Sequence, residues 1–517
     1  MPTIFDLKEQ EVLDTPILLF DCELRNGQHE YWATHQVTVD GNLYLPTLVD
    51  HSQFDLRAQS EDGIDATAKI SLTLANTDSR YSQVERAVGW KGAKLTVRFV
   101  FFDLKNDVPA SDAAVLFRGI ANAPENMKES TLRLSFNNRL NFQRVSLPEV
   151  RIQKRCPWMF PANAAQRQEG MDGGSRSAYS PFFRCGYSAG EAGGVGNLNG
   201  TVPYASCDYT RSACEQRGMF RTDSASTPTR RFGGVEFVPS SVLVRGYGEK
   251  GSHLSGPIDN EAKYNDVVPL VYGTAWVQPP VTLARNDGNL TRMEVLLGAG
   301  EMQGVLKIIV NDIEIPLGST GRDMTATGWY NVVSLGNRTG DFNLDFTDAS
   351  GQPAGDPYGS MALVSVVVPN RIHDGRSLPR VQALLEGMKL PTFAMDESFT
   401  GNVFTNNPAW VLLDVLRRSG WDPDELDLKS FAETAAYCDD AVTTLDLHGN
   451  TISIPRFQCN LVVRRRRSAA DVLRGVRNCA GLMLNFGNGG KLQCRFESTL
   501  EVQQGVKPAG SNATETL

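Results

Sequence analysis

Four cysteines, Cys156, Cys185, Cys207 and Cys214, lie in one stretch of the chain with 28, 21 and 6 residues between them. Thiolates so arranged can bind a metal centre or join in two disulfides. None of the four sits on an apolar face of regular period, so burial in a core does not explain them. Structural zinc sites usually take cysteines in pairs about two to four residues apart, and no such pair is present. Iron–sulfur ligation accepts wider and less regular intervals. The spacing leans weakly towards iron–sulfur over zinc, with two disulfides or four free thiols as the alternatives.

The chain has nine cysteines, and the other five read as small buried hydrophobes. Cys22 alternates with Phe20 and Leu24, and Cys494 with Leu492 and Phe496. Cys438 follows Phe431 and Ala435 at helical spacing, and Cys479 follows Val472 and Val476 in the same way. Cys459 lies near Ile454 and Leu461 without clear pattern.

Other chemistry-like patterns are weaker. Gly186-Tyr187-Ser188-Ala189-Gly190 matches a nucleophile elbow, which needs a buried strand before it and a helix after it. Pro181 to Cys185 is too short for that strand, and Glu191-Ala192-Gly193-Gly194 is a poor helix start, so a catalytic Ser188 is not expected. The glycines from Gly193 to Gly200 do not fit dinucleotide spacing. His29, His35, His51, His253, His373 and His448 are dispersed, with none paired at a metal-binding interval. Arg464, Arg465, Arg466 and Arg467 form the strongest charge run. Such a run is either a solvated strand end or an interface with an acidic partner subunit or with DNA in a channel. A carboxylate pair of glycosidase type is not identifiable from sequence.

The elements around these residues divide by texture. Residues 1–147 read as antiparallel β. From Asp65 to Asn76 apolar residues alternate strictly, with Ile70, Leu72 and Leu74 on one face, the mark of a half-buried strand. Leu95, Val97, Phe99 and Phe101 repeat the pattern, as do Leu132, Leu134 and Phe136. Val37 and Val39, then Asp40-Gly41, then Leu43 and Leu45 predict a hairpin. Residues 148–234 lose periodicity and must be held by something other than a core; the four clustered cysteines fall here. Residues 235–400 return to β texture, with a hairpin expected at Asn311-Asp312. Residues 401–502 read as α+β. Asn407-Pro408 starts a helix that Gly420 stops, a second covers Leu428 to Cys438, and a third begins at Ser468 with Asp471 in a capping-box variant. Leu482 to Phe496 then forms a hairpin, and residues 503–517 read as a flexible tail. The fold class is therefore mainly β and multidomain, with β-barrel or sandwich domains, a loop-rich cysteine domain and an α+β C-terminal part.

The net charge of -8 and the pI near 5.5 argue against a dedicated nucleic-acid binder. No stretch is apolar for the length a bilayer needs. Met1 to Thr15 lacks the basic start and apolar core of a signal peptide, so assembly in a cytoplasm is expected, where disulfides are a poor default.

Arg155-Cys156-Pro157-Trp158, Cys185-Gly186-Tyr187, Cys207, Cys214 with Arg217, and Arg231-Phe232-Gly233-Gly234 together resemble the iron–sulfur domain of the minor tail protein L family of lambda-like phage tails. Gene-transfer-agent hub proteins look similar. The resemblance implies a [4Fe–4S] cluster held by Cys156, Cys185, Cys207 and Cys214. The last two intervals match the family, whereas the first is longer, and Phe160 to Pro181 looks like an insertion. A second resemblance, to the host-specificity protein J family, rests on Val268 to Gly273, Gly300 to Gly304 with Asn311-Asp312, Asn407 to Asp414, Phe431 to Asp439 and Ser468 to Val476. The chain thus looks like an L-type protein joined to the first part of a J-type hub. These short motifs touch most of the chain, and the family's fibronectin-like and fibre regions have no counterpart.

The resemblance implies a structural, non-enzymatic baseplate or tail-tip hub in the virion of a long-tailed phage, assembled in the host cytoplasm. It would form a homotrimeric ring closing the tail tube, touching the distal tail protein, the tape-measure protein and a central fibre or tip protein. DNA would meet it only in transit during genome delivery. The rivals are a wall-degrading tail enzyme and a zinc-stabilised receptor-binding adhesin.

Overall fold

The computed structural model describes residues 14–52, 69–138, 145–171, 179–187, 204–217, 232–235, 265–286, 289–318, 327–336, 361–373, 379–487 and 490–497. The expected strand start at 65–68, Ser188 with the glycines after it, Arg231, His253, the 488–489 turn and the tail 503–517 lie outside these residues. The fold is mainly β, with several sheets and a few helices. Chain contacts define two compact units. One comprises Met1–Val145, Trp421–Phe431 and Ser468–Leu517; the other comprises Ser146–Gly420 and Ala432–Arg467. Among the described residues no helix is long and apolar enough to cross a membrane.

In the first unit an antiparallel sheet runs in the order His29–Trp32, Thr15–Glu23, Lys94–Asp103, Ala114–Ala121, Thr131–Asn138, Lys69–Ala75, Leu48–His51. The period-two segments pair as their pattern requires. Leu132 stands opposite Leu74, Leu134 opposite Leu72 and Phe136 opposite Ile70, and all six are buried. Strand Thr15–Glu23 is covered on both sides, with Phe20, Cys22 and Leu24 in one core cluster and Ile17 and Leu19 in another.

Two expectations need correction here. The strand expected from Leu95 to Phe101 forms, but its burial is not confined to one face. Leu95, Val97 and Phe101 are buried and Phe99 is half-buried, while Val100 and Phe102 on the opposite face are buried as well, because this strand, like Thr15–Glu23, has a core cluster on each side. The Asp40-Gly41 hairpin forms, with both residues at positive φ (52° and 77°) as a type I′ turn needs. Its inward residues are Val37, Val39 and Tyr44, however, and Leu43 points out, because the two-residue turn pairs Val37 with Tyr44.

The C-terminal part of this unit carries helix Ala469–Ala480, where Ser468 Oγ accepts from the Asp471 backbone N–H at 3.2 Å and Gly481 closes the end at φ 59°. Hairpin Leu482–Phe486 with Leu492–Phe496 follows in the expected register, and Cys494 is buried. Cys479 is exposed, against expectation. The buried stripe of the helix runs through Ala469, Leu473, Val476, Arg477 and Ala480, and Cys479 falls beside it.

The second unit is built on two sheets. One runs Thr274–Val277, Val381–Phe393, Met302–Val310, Ile313–Ile315; the other runs Val281–Asn286, Leu290–Ala299, Met361–Pro369, Trp329–Leu335. Their inner faces share one core, with Ile308, Val310 and Leu385 from the first and Val295, Leu297 and Val366 from the second, the arrangement of a sandwich. The hairpin at Asn311-Asp312 forms with both at positive φ.

Helix Pro408–Arg418 is capped as expected. Asn407 Oδ1 accepts from the Ala409 N–H at 3.0 Å, and Asn407 Nδ2 donates to the Ala435 carbonyl at 2.8 Å. The second expected helix spans Leu428–Asp439, and Cys438 on it is buried. A further hairpin, Ala441–Leu445 with Thr451–Pro455, exposes residues on both faces, so its sequence carries no strong apolar alternation.

Candidate metal centre

The segment bearing the four cysteines is anchored by backbone pairing rather than by a large core of its own. Ile152 N–H donates to the Asp266 carbonyl at 2.8 Å and Val268 N–H to the Val150 carbonyl at 2.9 Å. Further along, Val235 N–H donates to the Gln153 carbonyl at 2.9 Å. Between these ties the apolar packing is small, with Phe160 and Tyr187 buried and stacked with ring centroids 4.9 Å apart.

Cys156, Cys185, Cys207 and Cys214 all line one small cavity against this aromatic pair. They arrive from four local structures: the loop after Ile152, a turn after Pro181, the loop at Tyr204–Thr210, and the short helix Arg211–Gln216. Backbone groups tie the loops together. Cys156 N–H donates to the Tyr209 carbonyl at 2.9 Å. Gly233 N–H points to Cys156 Sγ at 3.4 Å, and Tyr209 N–H to Cys207 Sγ at 3.4 Å. N–H donors aimed at sulfur favour the thiolate form. Burial pushes the Cys156 thiol up to about 12, against the N–H groups of Gly233 and Trp158, and Cys185 and Cys207 add to the rise. A cation in the cavity reverses that balance, since a coordinating thiol is deprotonated outright.

The residues fit an iron–sulfur cluster by their donor set. Four thiols converge on one apolar cavity, and two N–H groups at its wall, Arg217 Nε and Trp158 Nε1, are buried and among the described residues have no hydrogen-bond partner. Among the described residues no three or more His, Cys, Asp or Glu side chains are grouped closely enough to hold a single metal ion.

Glycines let the walls close. A Cβ on Gly233 would lie 2.1 Å from Trp158 Nε1, and one on Gly234 2.6 Å from the Lys154 carbonyl oxygen. Trp158 is also covered by the Arg184 guanidinium, 4.9 Å from the ring.

Arg184 belongs to a polar network, buried at Asp414 and Tyr272 and open to solvent at Glu149, that the sequence reading did not identify. Its Nη2 lies 3.6 Å from Glu149 Oε1, which also pairs with Arg418 Nη1. Arg418 Nε donates to Asp414 Oδ2 at 2.7 Å, and Tyr179 and Tyr272 donate to Asp414 Oδ1 and Oδ2 at 2.6 Å and 2.7 Å. Burial and the neighbouring Asp414 carboxylate push both phenols well above their usual range, so they remain donors. A signal was present in the sequence: Asp414 interrupts the apolar run Ala409 to Leu416, with Arg418 four residues on.

Arg464, Arg465, Arg466 and Arg467 are all exposed. Arg464 Nη1 donates to Gln278 Oε1 at 3.2 Å at the rim of a groove that also holds the half-exposed Trp276. His29 pairs with Asp21 at 2.8 Å on the surface.

Fold and site together define a mainly β protein of two units, one of which carries a cavity lined by four cysteines beside a polar network around Asp414. No family model matches the chain, and no curated protein does. Among solved structures it is similar to a chain of the "Virion of native gene transfer agent (GTA) particle", with 10% identity and a TM-score of 0.25 over 71% of this chain and 84% of that one.

Proposed function

We propose that the chain is a structural hub subunit of a phage-type tail tip and that Cys156, Cys185, Cys207 and Cys214 hold a [4Fe–4S] cluster in it. The observation that carries this reading is the convergence of the four cysteines, spread over 59 residues of sequence, on one cavity. The motif resemblance to tail proteins L and J supplies the hub role. When bound, the cluster acts as a cross-link between four loops that have little apolar packing of their own. The chain's own residues do the rest: the backbone ties of Ile152, Val235 and Val268 fasten these loops to the β framework, and the Asp414 network braces the turn that carries Cys185. The hub would assemble as a homotrimer with the distal tail protein, the tape-measure protein and a central fibre or tip protein, and would work without catalytic turnover.

The test is metal and sulfide content with visible absorption, on full-length protein purified without oxygen, beside a Cys207→Ser, Cys214→Ser double variant. A brown protein with about four irons per chain, colourless in the variant, supports the cluster. An iron-free, well-folded wild type removes it. For the hub role, antibody labelling of assembled particles should mark the distal end of the tail. Label elsewhere, or hydrolysis of cell wall by the isolated chain, would favour another role.

A further inference from the structure

Arg217 is the cationic side chain among the described residues that line the four-cysteine cavity. Its guanidinium is held from several directions. Nη1 donates to the Ala213 carbonyl at 2.7 Å, and Nη2 donates to the Ser206 carbonyl at 2.7 Å. Ala213 immediately precedes Cys214, and Ser206 immediately precedes Cys207, so one planar group fastens the two peptides that carry these cysteines. The guanidinium carbon lies 4.5 Å from the Tyr204 ring centroid and 5.6 Å from that of Phe160, which fixes its plane. The third guanidinium nitrogen, Nε, is buried and among the described residues has no hydrogen-bond partner.

A cationic N–H left unpaired in an apolar wall is costly, and among the described residues no carboxylate lines this cavity to answer it. Four thiolates around an iron–sulfur core leave a net negative charge, and its sulfur atoms accept hydrogen bonds. We infer that Arg217 is a positioning and tuning residue: it clamps the Cys207 and Cys214 peptides, and its Nε–H donates to a sulfur of the cluster. This inference rests on the cluster reading above. The more reduced the cluster, the more negative it is, so a fixed cationic donor favours the reduced state; hydrogen bonds to sulfur and local charge are levers on cluster potential. Loss of the donor therefore lowers the reduction potential.

The experiment uses full-length protein purified without oxygen, as wild type, Arg217→Lys and Arg217→Gln. Iron per chain is measured first, then the reduced fraction across a redox titration. In iron-loaded Arg217→Gln the reduced-to-oxidised ratio at a fixed potential falls about tenfold, the scale of one charge-assisted hydrogen bond; in Arg217→Lys the loss is smaller. An unchanged potential in iron-loaded Arg217→Gln overturns the inference while leaving the cluster standing. Should the Gln variant fail to load, the wild type decides by itself. Protein labelled with nitrogen-15 arginine, once reduced, shows a hyperfine coupling between the cluster and one arginine nitrogen, and its absence overturns the inference. An iron-free wild type removes the cluster reading and this inference with it.

Discussion

Tyr272 Oη donates to Asp414 Oδ2 across 2.7 Å, with both residues buried. This bond joins strand Leu270–Tyr272 to helix Pro408–Arg418, and Tyr179 and Arg418 complete the carboxylate's shell. Asp414→Ala removes the shared acceptor and strands a buried guanidinium and two phenols. Breaking a buried ion pair at one partner costs about 3–5 kcal/mol, and a loss of that size is expected in urea unfolding of the full chain. A loss under about 1 kcal/mol would mean that the network contributes little beyond packing.

Glu149 gives the same network a pH dependence. Burial works to raise its carboxyl pKa, but Arg418 and Arg184 outweigh burial and hold it below the usual carboxylate range. A carboxyl whose pKa is depressed by folding contributes stability that is fully present above the unfolded value, roughly 4.3, and that disappears as pH falls through the folded value. The stability difference between wild type and Glu149→Gln should therefore be largest near neutral pH and shrink in acid. A difference that is flat or grows on acidification contradicts the assignment.

Gly233 has a backbone N–H aimed at Cys156 Sγ and no room for a Cβ beside Trp158. Gly233→Ala must displace the indole or the backbone. Under the cluster reading, iron per chain is expected to fall to less than about half of wild type, since shifting a supporting group typically costs tenfold or more in metal affinity. Full iron loading in this variant would show that the wall adapts.

Gly475 presents the opposite case. It lies in the interior of helix Ala469–Ala480, exposed, and a Cβ there would meet nothing within 4 Å. Gly475→Ala should stabilise by about 0.5–1 kcal/mol through helix propensity. A destabilised variant, by thermal or urea unfolding, would mean that the position has a neighbour in the assembled state of the purified protein.

The exposed run Arg464 to Arg467 separates folding from assembly. Replacing all four by Ser removes exposed charge and the hydrogen bond from Arg464 to Gln278, so stability should shift by no more than about 1–2 kcal/mol. If the run is an interface with an acidic partner, tail assembly in a complementation assay falls sharply. Normal infectious tails from this variant would leave these arginines as a solvated surface.

Local sequence determined the strands and helices wherever apolar period, caps and turn residues agreed. Ile70, Leu72 and Leu74 face Phe136, Leu134 and Leu132 because period two fixes which face is buried. Asn407 and Ser468 start helices because their side chains accept the orphan N–H groups. Cysteine positions, read with no neighbours in view, separated Cys22, Cys438 and Cys494 from the clustered four, and the first three are buried. Tertiary structure decided the rest. Cys479 matched its helical pattern and is still exposed, since burial depends on what packs across the stripe and not on spacing alone. Phe99 is only half-buried while Val100 and Phe102 on the opposite face are buried, because a second cluster covers that side of the sheet. Convergence of Cys156, Cys185, Cys207 and Cys214 on one cavity, the Arg217 clamp, and the shell of Asp414 assembled from residues as distant as Tyr179 and Arg418 all depend on contacts between remote segments, which no local pattern encodes.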